Sequence, residues 1–366
     1  MLHITKARET MTSRERVMRT FHHVKADRVP IDYSTNPGIH QRLSAALGIP
    51  DANYERVMEA LGVDFYGIGV PYVGRPLFPE IAGTQVNKTL GSYTRWIANR
   101  AGGYWDYCVF PLKDAEDDVI AAYPVPDPDD FDYDNVERRL SRAGDYCVHC
   151  GGAGEADIIN TTGMLMGMEN ALVNLATEHE ATLYQLDRRH DCQLAILERI
   201  LERGKGRIDF LWMGEDLGTQ HAPMISTELY DRVFRPRHQR FIDLAKAYNV
   251  PCMIHTCGSS SWAYERLIEM GMSGVDTLQP EAADMDPETL VRRFGGRLSF
   301  HGCISTAGAL AYGTPDDVRA DVKRTLDIMM PTCSYHLAPT HQIQDNSPVE
   351  NVVAMYQAAH DYGVYR

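Results

Sequence analysis

The chain has 366 residues, with 36 Lys and Arg against 50 Asp and Glu, which gives a net charge of −14. Such an acidic chain is a poor partner for nucleic acid or an anionic membrane surface, and no basic cluster overrides the mean. No apolar run reaches the ~18 residues of a membrane span, and residues 1–20 lack the apolar core of a signal peptide. The eight scattered cysteines are typical of a reducing compartment, so we expect a cytoplasmic protein.

The first half of the chain predicts an early helix, three strands and a long insertion. Residues 12–15 (TSRE) form a capping-box pattern ahead of the helix. Alternating or apolar runs predict strands at residues 29–33, 65–70 and 146–150. Residues 71–144 are richer in Gly, Pro and aromatic residues, so we expect an insertion that carries a hairpin and a long loop.

The second half alternates strands with helices. Apolar runs that end in polar residues or Gly predict strands at residues 208–213, 250–254, 274–278, 298–301 and 333–337. Capping residues and Pro in the first turn predict helices over 227–248 and 262–270 and from residues 286 and 314. A capping box that starts at Ser347, with Pro348 at the first helical position, predicts a last helix, and Gly363 ends it.

The rhythm of these strands predicts repeated βα units with parallel strands. Such units build either a closed barrel or a doubly wound open sheet. No Gly-rich phosphate-binding loop follows any strand, which favours the closed barrel. We therefore expect an α/β fold of the (β/α)8 TIM barrel type, with residues 1–366 as one domain and the 71–144 insertion over the barrel mouth.

The strongest chemical signal is the sequence His255-Thr256-Cys257-Gly258 at the end of a predicted strand. Residues i and i+2 of a strand point to the same side, so the imidazole and the thiolate can face one ion. Nitrogen and sulfur ligands together favour Zn2+. The alternative is a histidine and a cysteine that merely pack in the core beside a turn.

A catalytic zinc site needs a third protein ligand and an open position. Cys303 and His341 both end later strands, where barrel active sites form, and both are candidates for that ligand. Glu215 and Asp216 end the strand before His255, and one of them is expected to be a ligand, carry a proton or orient that histidine. A buried thiol, a substrate-binding histidine and helix capping are the structural alternatives.

The Cys147-Val148-His149-Cys150 segment is a weaker signal. On a strand its two thiols point to opposite faces, and no second Cys-x-x-Cys completes a four-cysteine zinc site. We interpret these cysteines as structural.

The polar strand ends resemble the motifs of the uroporphyrinogen decarboxylase superfamily. The matching segments are residues 214–220 (GEDLGTQ), 255–258 (HTCG), 300–306 (FHGCIST), 337–344 (LAPTHQIQ) and 348–351 (PVEN). The resemblance implies a (β/α)8 barrel and one of two chemistries. These are metal-free decarboxylation of uroporphyrinogen and zinc-dependent methyl transfer to or from a corrinoid protein.

The chain is more similar to the methyltransferase branch. The decarboxylases carry arginines after their first strand, whereas residues 31–37 here contain none, and the decarboxylases lack the His-x-Cys pair. In the coenzyme M methyltransferases a third zinc thiolate falls in the region of His341, which favours this residue slightly over Cys303. Cys303 stands where many relatives have Gly.

The resemblance implies Zn2+ as cofactor and the cobalt of a corrinoid (cobalamin) on a separate protein as methyl acceptor, because no cobalamin domain is evident. The donor is expected to be a small methylated substrate such as an aryl methyl ether, which makes the protein an O-demethylase. Methyl transfer from a corrinoid to a thiol and a metal-free decarboxylase or lyase are the alternatives, and a homodimer is left open. The side chains expected to line the substrate pocket are Tyr33, Tyr66, Tyr72, Trp105, Tyr107, Gln220 and Gln279.

Overall fold

The computed structural model describes residues 2–99 and 102–366. Its strands are β1 (Phe65–Ile68), β2 (Gln85–Val86), β3 (Tyr93–Asn99), β4 (Gly102–Val109), β5 (Cys147–Gly151), β6 (Phe210–Gly214), β7 (Cys252–Thr256), β8 (Gly274–Thr277), β9 (Ser299–Ile304) and β10 (Tyr335–Pro339).

The α-helices are α1 (Ser13–Phe21), α2 (Pro37–Ala46), α3 (Tyr54–Leu61), α4 (Asp117–Ala121), α5 (Asp134–Ala143), α6 (Ile159–Met166), α7 (Met168–Ala176), α8 (Glu180–Gly204), α9 (Thr227–Leu229), α10 (Arg235–Ala247), α11 (Tyr264–Met270), α12 (Pro287–Phe294), α13 (Ala309–Tyr312), α14 (Pro315–Met329) and α15 (Val349–Tyr362). Short 3-10 turns span Pro128–Asp130, Ser261–Ala263 and Met330–Thr332, and a π-helical turn spans Tyr230–Phe234. Within the described ranges, no helix combines the length and the apolar character that a membrane crossing requires.

Seven strands form one parallel sheet in the order β1, β5, β6, β7, β8, β9 and β10. The extended segment 29–33 closes it. On one side Leu337 N donates to Pro30 O at 2.8 Å, and on the other Asp64 N donates to Ile31 O at 2.8 Å. The predicted (β/α)8 barrel is therefore confirmed. The predicted first strand, however, contributes only a single bridge, at Ile31, because the chain lies extended there for too few residues to form a ladder.

Side chains of each barrel strand alternate between the interior and the layer beneath the helices. Cys147 and Phe210 lie in an interior cluster with Phe21 of α1, which packs against the N-terminal end of the barrel. The intervening positions, such as Val148 and Cys150, belong to the large core under the helices. The two thiols of the Cys-x-x-Cys segment thus occupy different cores, which agrees with a structural role.

A buried ion-pair network fixes the closing segment at the N-terminal end of the barrel. The Asp64 carboxylate accepts hydrogen bonds from Arg16 Nη1 at 2.5 Å, from Arg28 Nη1 at 2.6 Å and from Ile31 N at 2.8 Å. All three charged side chains are fully buried. Removing one partner would leave an uncompensated charge, so this network holds the barrel closed.

The 71–144 segment carries a three-stranded antiparallel sheet of β2, β3 and β4, together with α4 and α5. Leu112 and Ile120 from this segment pack against Leu165 and Met166 of α6 and against α7 and α8. The insertion therefore lies against the helical side of the barrel. The assignment of residues 1–366 to one domain stays a prediction.

One predicted helix is confirmed, and a detail of another is wrong. The helix predicted over 227–248 runs without a break through α9, the π-helical turn and α10 and ends at Ala247, with a proline in the first turn of α10. The last helix begins at Val349 with Pro348 as its N-cap, one residue later than the capping box requires. Ser347 Oγ is buried and has no hydrogen-bond partner within the described chain, whereas Gly363 ends the helix as expected.

Candidate metal centre

Three adjacent strands place polar side chains in one row inside the barrel. The parallel register pairs His255 of β7 with Asp276 of β8, and Asp276 with His301 of β9. Residues in register on neighbouring strands point to the same face, so the three side chains meet. His255 and Asp276 are each the second-last residue of their strand, and His301 is the third residue of β9.

Asp276 joins the two histidines. His255 Nδ1 lies 2.6 Å from Asp276 Oδ2, and His301 Nδ1 lies 2.6 Å from Asp276 Oδ1. On its other side, His301 Nε2 lies 3.1 Å from Asp32 Oδ2. With Nδ1 of His255 donating to a carboxylate, Nε2 is the ring nitrogen left for a ligand.

Asp276, His255 and His301 stabilise one another's charged forms. Burial alone would raise the pKa of Asp276, but His301 and His255 hold it well below its usual range. Burial opposes the charged form of His301, yet Asp276 and Asp32 raise the pKa of His301 to about 9. His301 is therefore a buried cation at neutral pH, held between two carboxylates.

Asp216, His255 and Cys257 form a group that could hold a metal ion. One ligand atom from each lies within 4.8 Å of the others, and Cys257 Sγ is 3.4 Å from His255 Nε2. Asp216 Oδ1 accepts a hydrogen bond from Cys257 N at 2.9 Å, and Asp216 Oδ2 accepts one from Asn160 Nδ2 at 2.9 Å. The Asp216 carboxylate is thereby fixed beside the other two ligands.

The donor set fits zinc. Imidazole nitrogen, thiolate sulfur and carboxylate oxygen are its usual protein ligands, and three of them leave a fourth tetrahedral position open. A carboxylate behind the ligating histidine, here Asp276, is the usual outer partner at such sites. In the structure the third residue of this group is Asp216, and neither Cys303 nor His341 belongs to it.

The turn after Cys257 depends on Gly258. Its φ of +71° lies in the left-handed region, and a Cβ there would come within 2.1 Å of Gly218 O. Gln279 Oε1 accepts a hydrogen bond from Gly258 N at 2.6 Å, which anchors the turn. Only glycine can bring the two chain segments this close, so Gly258 sets the position of the Cys257 thiol.

Cys303 does not lie in this group, and the expectation that it would is wrong. It is buried in the core beneath the helices, where charges of the outer helices such as Asp321 surround it and burial raises the pKa of its thiol. The reason is local: φ is +117° at Gly302 and +72° at Cys303, which breaks the strand alternation that His301 begins. The side chain therefore turns outward.

His341 lies beside the group without joining it. Its ring centre is 6.2 Å from that of His255, and the side chain is exposed. The segment after β10 carries it to the cavity wall. The structure thus brings together Asp216, His255 and Cys257, with His341 as a neighbour.

Glu215 is placed away from the cavity, contrary to expectation. It is fully buried, and its carboxylate accepts hydrogen bonds from Ile158 N at 2.9 Å and Ile159 N at 3.1 Å at the start of α6. His238 Nε2 lies 3.3 Å away. Both residues follow the end of β6, and only the second of them, Asp216, lies in the metal group.

A cavity of about 340 Å³ opens beside the row. Residues from the barrel interior and from the loops after β5 and β10 form its wall, and none of the described lining residues is Arg or Lys. The polar and aromatic lining side chains are Asp32, Ser34, His149, Trp212, His255, Asp276, His301, Thr340, His341 and Gln342.

A second cavity, of about 500 Å³, shares Asp32, Ser34, His149 and Trp212 with the first. It contains Arg139 and Arg142 of α5, whereas no described residue that lines the cavity at the metal group is an arginine. No described residue of the 71–144 insertion lines the cavity at the metal group. The insertion therefore does not roof that cavity, because it packs on α6 to α8 instead.

The residues predicted to bind substrate are dispersed. Tyr33 and Tyr66 line the second cavity, where Tyr33 Oη contacts His40 and Tyr66 Oη donates to Glu55. Gln220 is exposed, and Gln279 serves the Gly258 turn. The insertion residues Tyr72 and Tyr107 line a third cavity, and Trp105 is half exposed on the antiparallel sheet.

Sequence reasoning missed Asp276, His301, Asp32 and Trp212. The signal for Asp276 is present, since it is the one charged residue in an otherwise apolar run at 274–278. A carboxylate in a buried strand needs a partner, and the neighbouring strand ends offer histidines. The pairing itself requires the register, which local patterns do not give.

The sequence model of the uroporphyrinogen decarboxylase (URO-D) family matches residues 158–362, more than half of the chain. The chain belongs to this family. The match covers the metal group and the row of β7, β8 and β9. The resemblance drawn from the strand-end motifs is therefore confirmed.

Similar curated proteins are methyltransferases. The chain is 24% identical over 189 residues to a methylcobamide:CoM methyltransferase MtbA of Methanosarcina acetivorans, covering 52% of each chain. The MtbA of Methanosarcina mazei is 24% identical over 157 residues, covering 42% of each chain. The chain thus spans about half the length of the curated relatives it matches.

A solved structure shows the same fold. A methyltransferase from Methanosarcina mazei superposes with a TM-score of 0.65 at 17% identity, covering 96% of this chain and 99% of that chain. The likeness extends over nearly the whole barrel and its insertion. At 17% identity this likeness supports the barrel architecture alone, so the chemistry has to be inferred from the residues of the site.

Proposed function

We propose that this protein transfers a methyl group between a small methylated substrate and the cobalt of a corrinoid carried by a separate protein. The observation that carries the proposal is the group of Asp216, His255 and Cys257, with His255 oriented by Asp276, at the end of a barrel cavity. The names of the MtbA relatives support the same class of reaction.

Asp216, His255 and Cys257 would hold Zn2+, with His341 close enough to the group to be tested as a further ligand. When bound, Zn2+ would act as a Lewis acid toward the heteroatom that loses or gains the methyl group. Asp276 fixes the tautomer of His255 by accepting from Nδ1. Asn160 holds the second oxygen of Asp216, so the ligand set is organised by the chain itself.

The remaining polar groups of the cavity suit a reaction in which charge develops on a heteroatom. His301 is protonated at neutral pH, and its Nε2 donates toward Asp32 at the cavity wall. Trp212 Nε1 and His149 Nδ1 are buried at the same wall and lack partners within the described chain. They provide hydrogen-bonding capacity for a polar substrate.

Oxygen as the heteroatom, in an aryl methyl ether, is the finer part of the proposal. The harder oxygen donor of Asp216 in place of a second thiolate suits an oxygen substrate. A second candidate is methyl transfer from a corrinoid to a thiol, which the names of the two MtbA relatives favour. A porphyrinogen decarboxylase is disfavoured, because no Arg or Lys lines the described wall at the metal group and His301 is already held between two carboxylates.

The first test is metal content and methyl transfer measured together. Protein purified without a metal-affinity column should contain about one zinc per chain. Free cob(I)alamin with a panel of methyl ethers, and methylcobalamin with a panel of thiols, report the two directions by the change in the corrin absorption spectrum. His255→Ala and Cys257→Ala should lose both zinc and transfer.

Cys303→Ser is the matched control, because its thiol faces the outer core and its loss should leave zinc content unchanged. A double variant that lacks both His255 and Cys257 yet keeps zinc and activity would refute the proposal. Decarboxylation of uroporphyrinogen by the wild-type protein would show that the protein is a decarboxylase and not a methyltransferase.

A further inference from the structure

A third cavity, of about 510 Å³, lies apart from the metal group. The insertion, the loop after β5 and α8 enclose it, and its volume is within the usual range of small-molecule sites. Gly151 and Gly154 line this cavity, whereas Gly152 and Ala153 between them line the cavity at the metal group. One short loop therefore separates the two spaces.

The third cavity contains a guanidinium that the chain leaves largely unpaired. Arg189 Nη2 donates to Thr162 Oγ1 at 3.1 Å, but its Nε is buried and has no partner within the described chain. Burial lowers the pKa of Arg189 to about 10, although Asp157 and Glu215 act on it through space. A buried cation with unused N–H groups is costly unless an anion approaches it.

The neighbouring His190 adds to this unused capacity. The residue is 1% exposed, and neither of its ring nitrogens has a partner in the described part of the chain. Burial keeps the pKa of His190 well below its ordinary value, so the ring is neutral and one nitrogen is a donor. Two adjacent residues of α8, Arg189 through Nε and His190 through its ring, thus carry N–H donors without an acceptor among the described residues.

The carboxylates that line the same cavity are already engaged or weakly charged. Asp157 Oδ1 accepts from Thr161 N at 2.8 Å, and Asp157 Oδ2 accepts from Asn160 Nδ2 at 3.0 Å. Burial raises the pKa of Glu155 to about 7, so that carboxyl is partly neutral. Neither carboxyl forms a hydrogen bond with Arg189 in the described part of the chain, so the guanidinium keeps donors for a ligand.

The opposite wall is aromatic. Tyr72 and Phe131 meet edge to face with ring centres 5.3 Å apart, and Tyr107 from β4 lines the same space. Aliphatic side chains of α8, such as Ile196 and Ile200, complete the apolar part. A flat aromatic ring is the ligand shape that such a wall accommodates best.

We propose that this cavity is a second binding site, which takes a small aromatic carboxylate with the carboxylate on Arg189 and the ring against Tyr107 and Phe131. This inference goes beyond the proposed methyl transfer, since it requires neither zinc nor a corrinoid. Asn160 donates to both Asp157 in this site and Asp216 in the metal group, so the two sites share one amide.

The test is binding of benzoate to the His255→Ala protein, measured by titration calorimetry. That variant removes a metal ligand, so carboxylate binding to zinc does not enter. Benzoate should bind saturably, and benzyl alcohol and acetate should each bind at least about tenfold more weakly, because each lacks one half of the recognised group.

Arg189→Gln, made in the same background, should weaken benzoate binding by about tenfold to a hundredfold, the factor expected for a charge-assisted hydrogen bond. Arg189→Lys should give an intermediate loss, because the charge stays but the planar fork is lost. Arg203→Gln on the same helix is the matched control, since Arg203 is half exposed and its ion pair with Asp134 lies outside the cavity. Thermal unfolding of each variant reports whether the fold is intact.

Three results would overturn the inference. Failure of benzoate to bind saturably to the folded protein would leave Arg189 without a ligand role. Equal binding to the Arg189→Gln and Arg203→Gln proteins would place the ligand elsewhere. Benzyl alcohol binding as tightly as benzoate would remove the carboxylate from the proposal, whatever the zinc content of the wild-type protein proves to be.

Discussion

Asp276→Asn tests whether the row behind the metal group organises it. The substitution keeps the size of the side chain but removes its charge and one of its two acceptor oxygens. At present each oxygen accepts from a histidine Nδ1 at 2.6 Å. The variant can accept from only one Nδ1–H, so the other ring must change its tautomer or lose its orientation.

Two effects of different size follow from the structure. Loss of a carboxylate behind a ligating histidine typically lowers metal affinity by roughly tenfold to a hundredfold. Separately, the pKa of His301, raised to about 9 from an ordinary value of about 6.5, corresponds to about 3 kcal/mol of stabilisation of the folded chain. Part of this stabilisation comes from Asp32, which the variant retains.

The sign of the pH dependence is fixed by the direction of that shift. A histidine with a raised pKa in the folded state contributes its full stabilisation below the unfolded pKa and loses it as pH rises through the folded pKa. The free energy of unfolding of the wild type should therefore exceed that of Asp276→Asn most at pH 6. The difference should shrink between pH 6.5 and about 9.

Competition with a chromophoric chelator measures zinc affinity, and urea unfolding of the metal-free proteins at pH 6 and pH 9 measures stability. Asp209→Asn is the matched control: Asp209 is equally buried, but it accepts from Arg14 and from Val148 N at the start of the strands. It should lose stability and keep its zinc affinity. If both variants bind zinc as the wild type does, Asp276 does not orient His255.

Three further outcomes are expected. Asp64→Asn should lower the free energy of unfolding in urea by about 3–5 kcal/mol, because two buried arginines lose their shared partner, and a loss below about 1 kcal/mol would contradict this. Gly258→Ala should lower zinc content, whereas Gly83→Ala, at a similar φ of +79° but in open space, should leave zinc unchanged and cost about 1–2 kcal/mol of stability. His341→Ala should weaken zinc binding by roughly tenfold to a hundredfold if His341 only contacts the ligands, and should abolish zinc binding if His341 is itself a ligand. Cys303→Ser should leave zinc binding unchanged.

The barrel was predictable because the βα units of the second half are locally complete. Most strands there are apolar runs that end in a polar residue or Gly, and side-chain caps start α9, α12 and α14. The strand observed at Cys252–Thr256 lies two residues later than predicted, and β6 and β10 also begin two residues late, whereas β9 begins one residue late and β8 begins at the predicted residue 274. Segment 29–33 was harder to predict, since its role depends on hydrogen bonds to β10 and to Asp64, both distant in sequence.

Only the part of the metal group that depends on spacing along the chain could be predicted from the sequence. His255 and Cys257 were found because the i, i+2 pattern and Gly258 are local. Cys303 was misplaced by the same alternation rule, because positive φ angles at two successive residues turned its side chain outward. No pattern of residue types distinguishes that turn from a regular strand end.

What organises the centre is a non-local feature, the register of three parallel strands. A shift of one residue between β7 and β8 would move Asp276 to the outer face and leave His255 without its acceptor. His301 would then be a buried cation with Asp32 as its remaining carboxylate partner, and the desolvation of its charge would destabilise the fold. The contacts of Asp276 with His255 and His301 therefore favour the observed register of β7, β8 and β9, and that register in turn brings the three side chains together. This mutual dependence explains why the ligands could be inferred from one strand, while the residues that orient them required the assembled barrel.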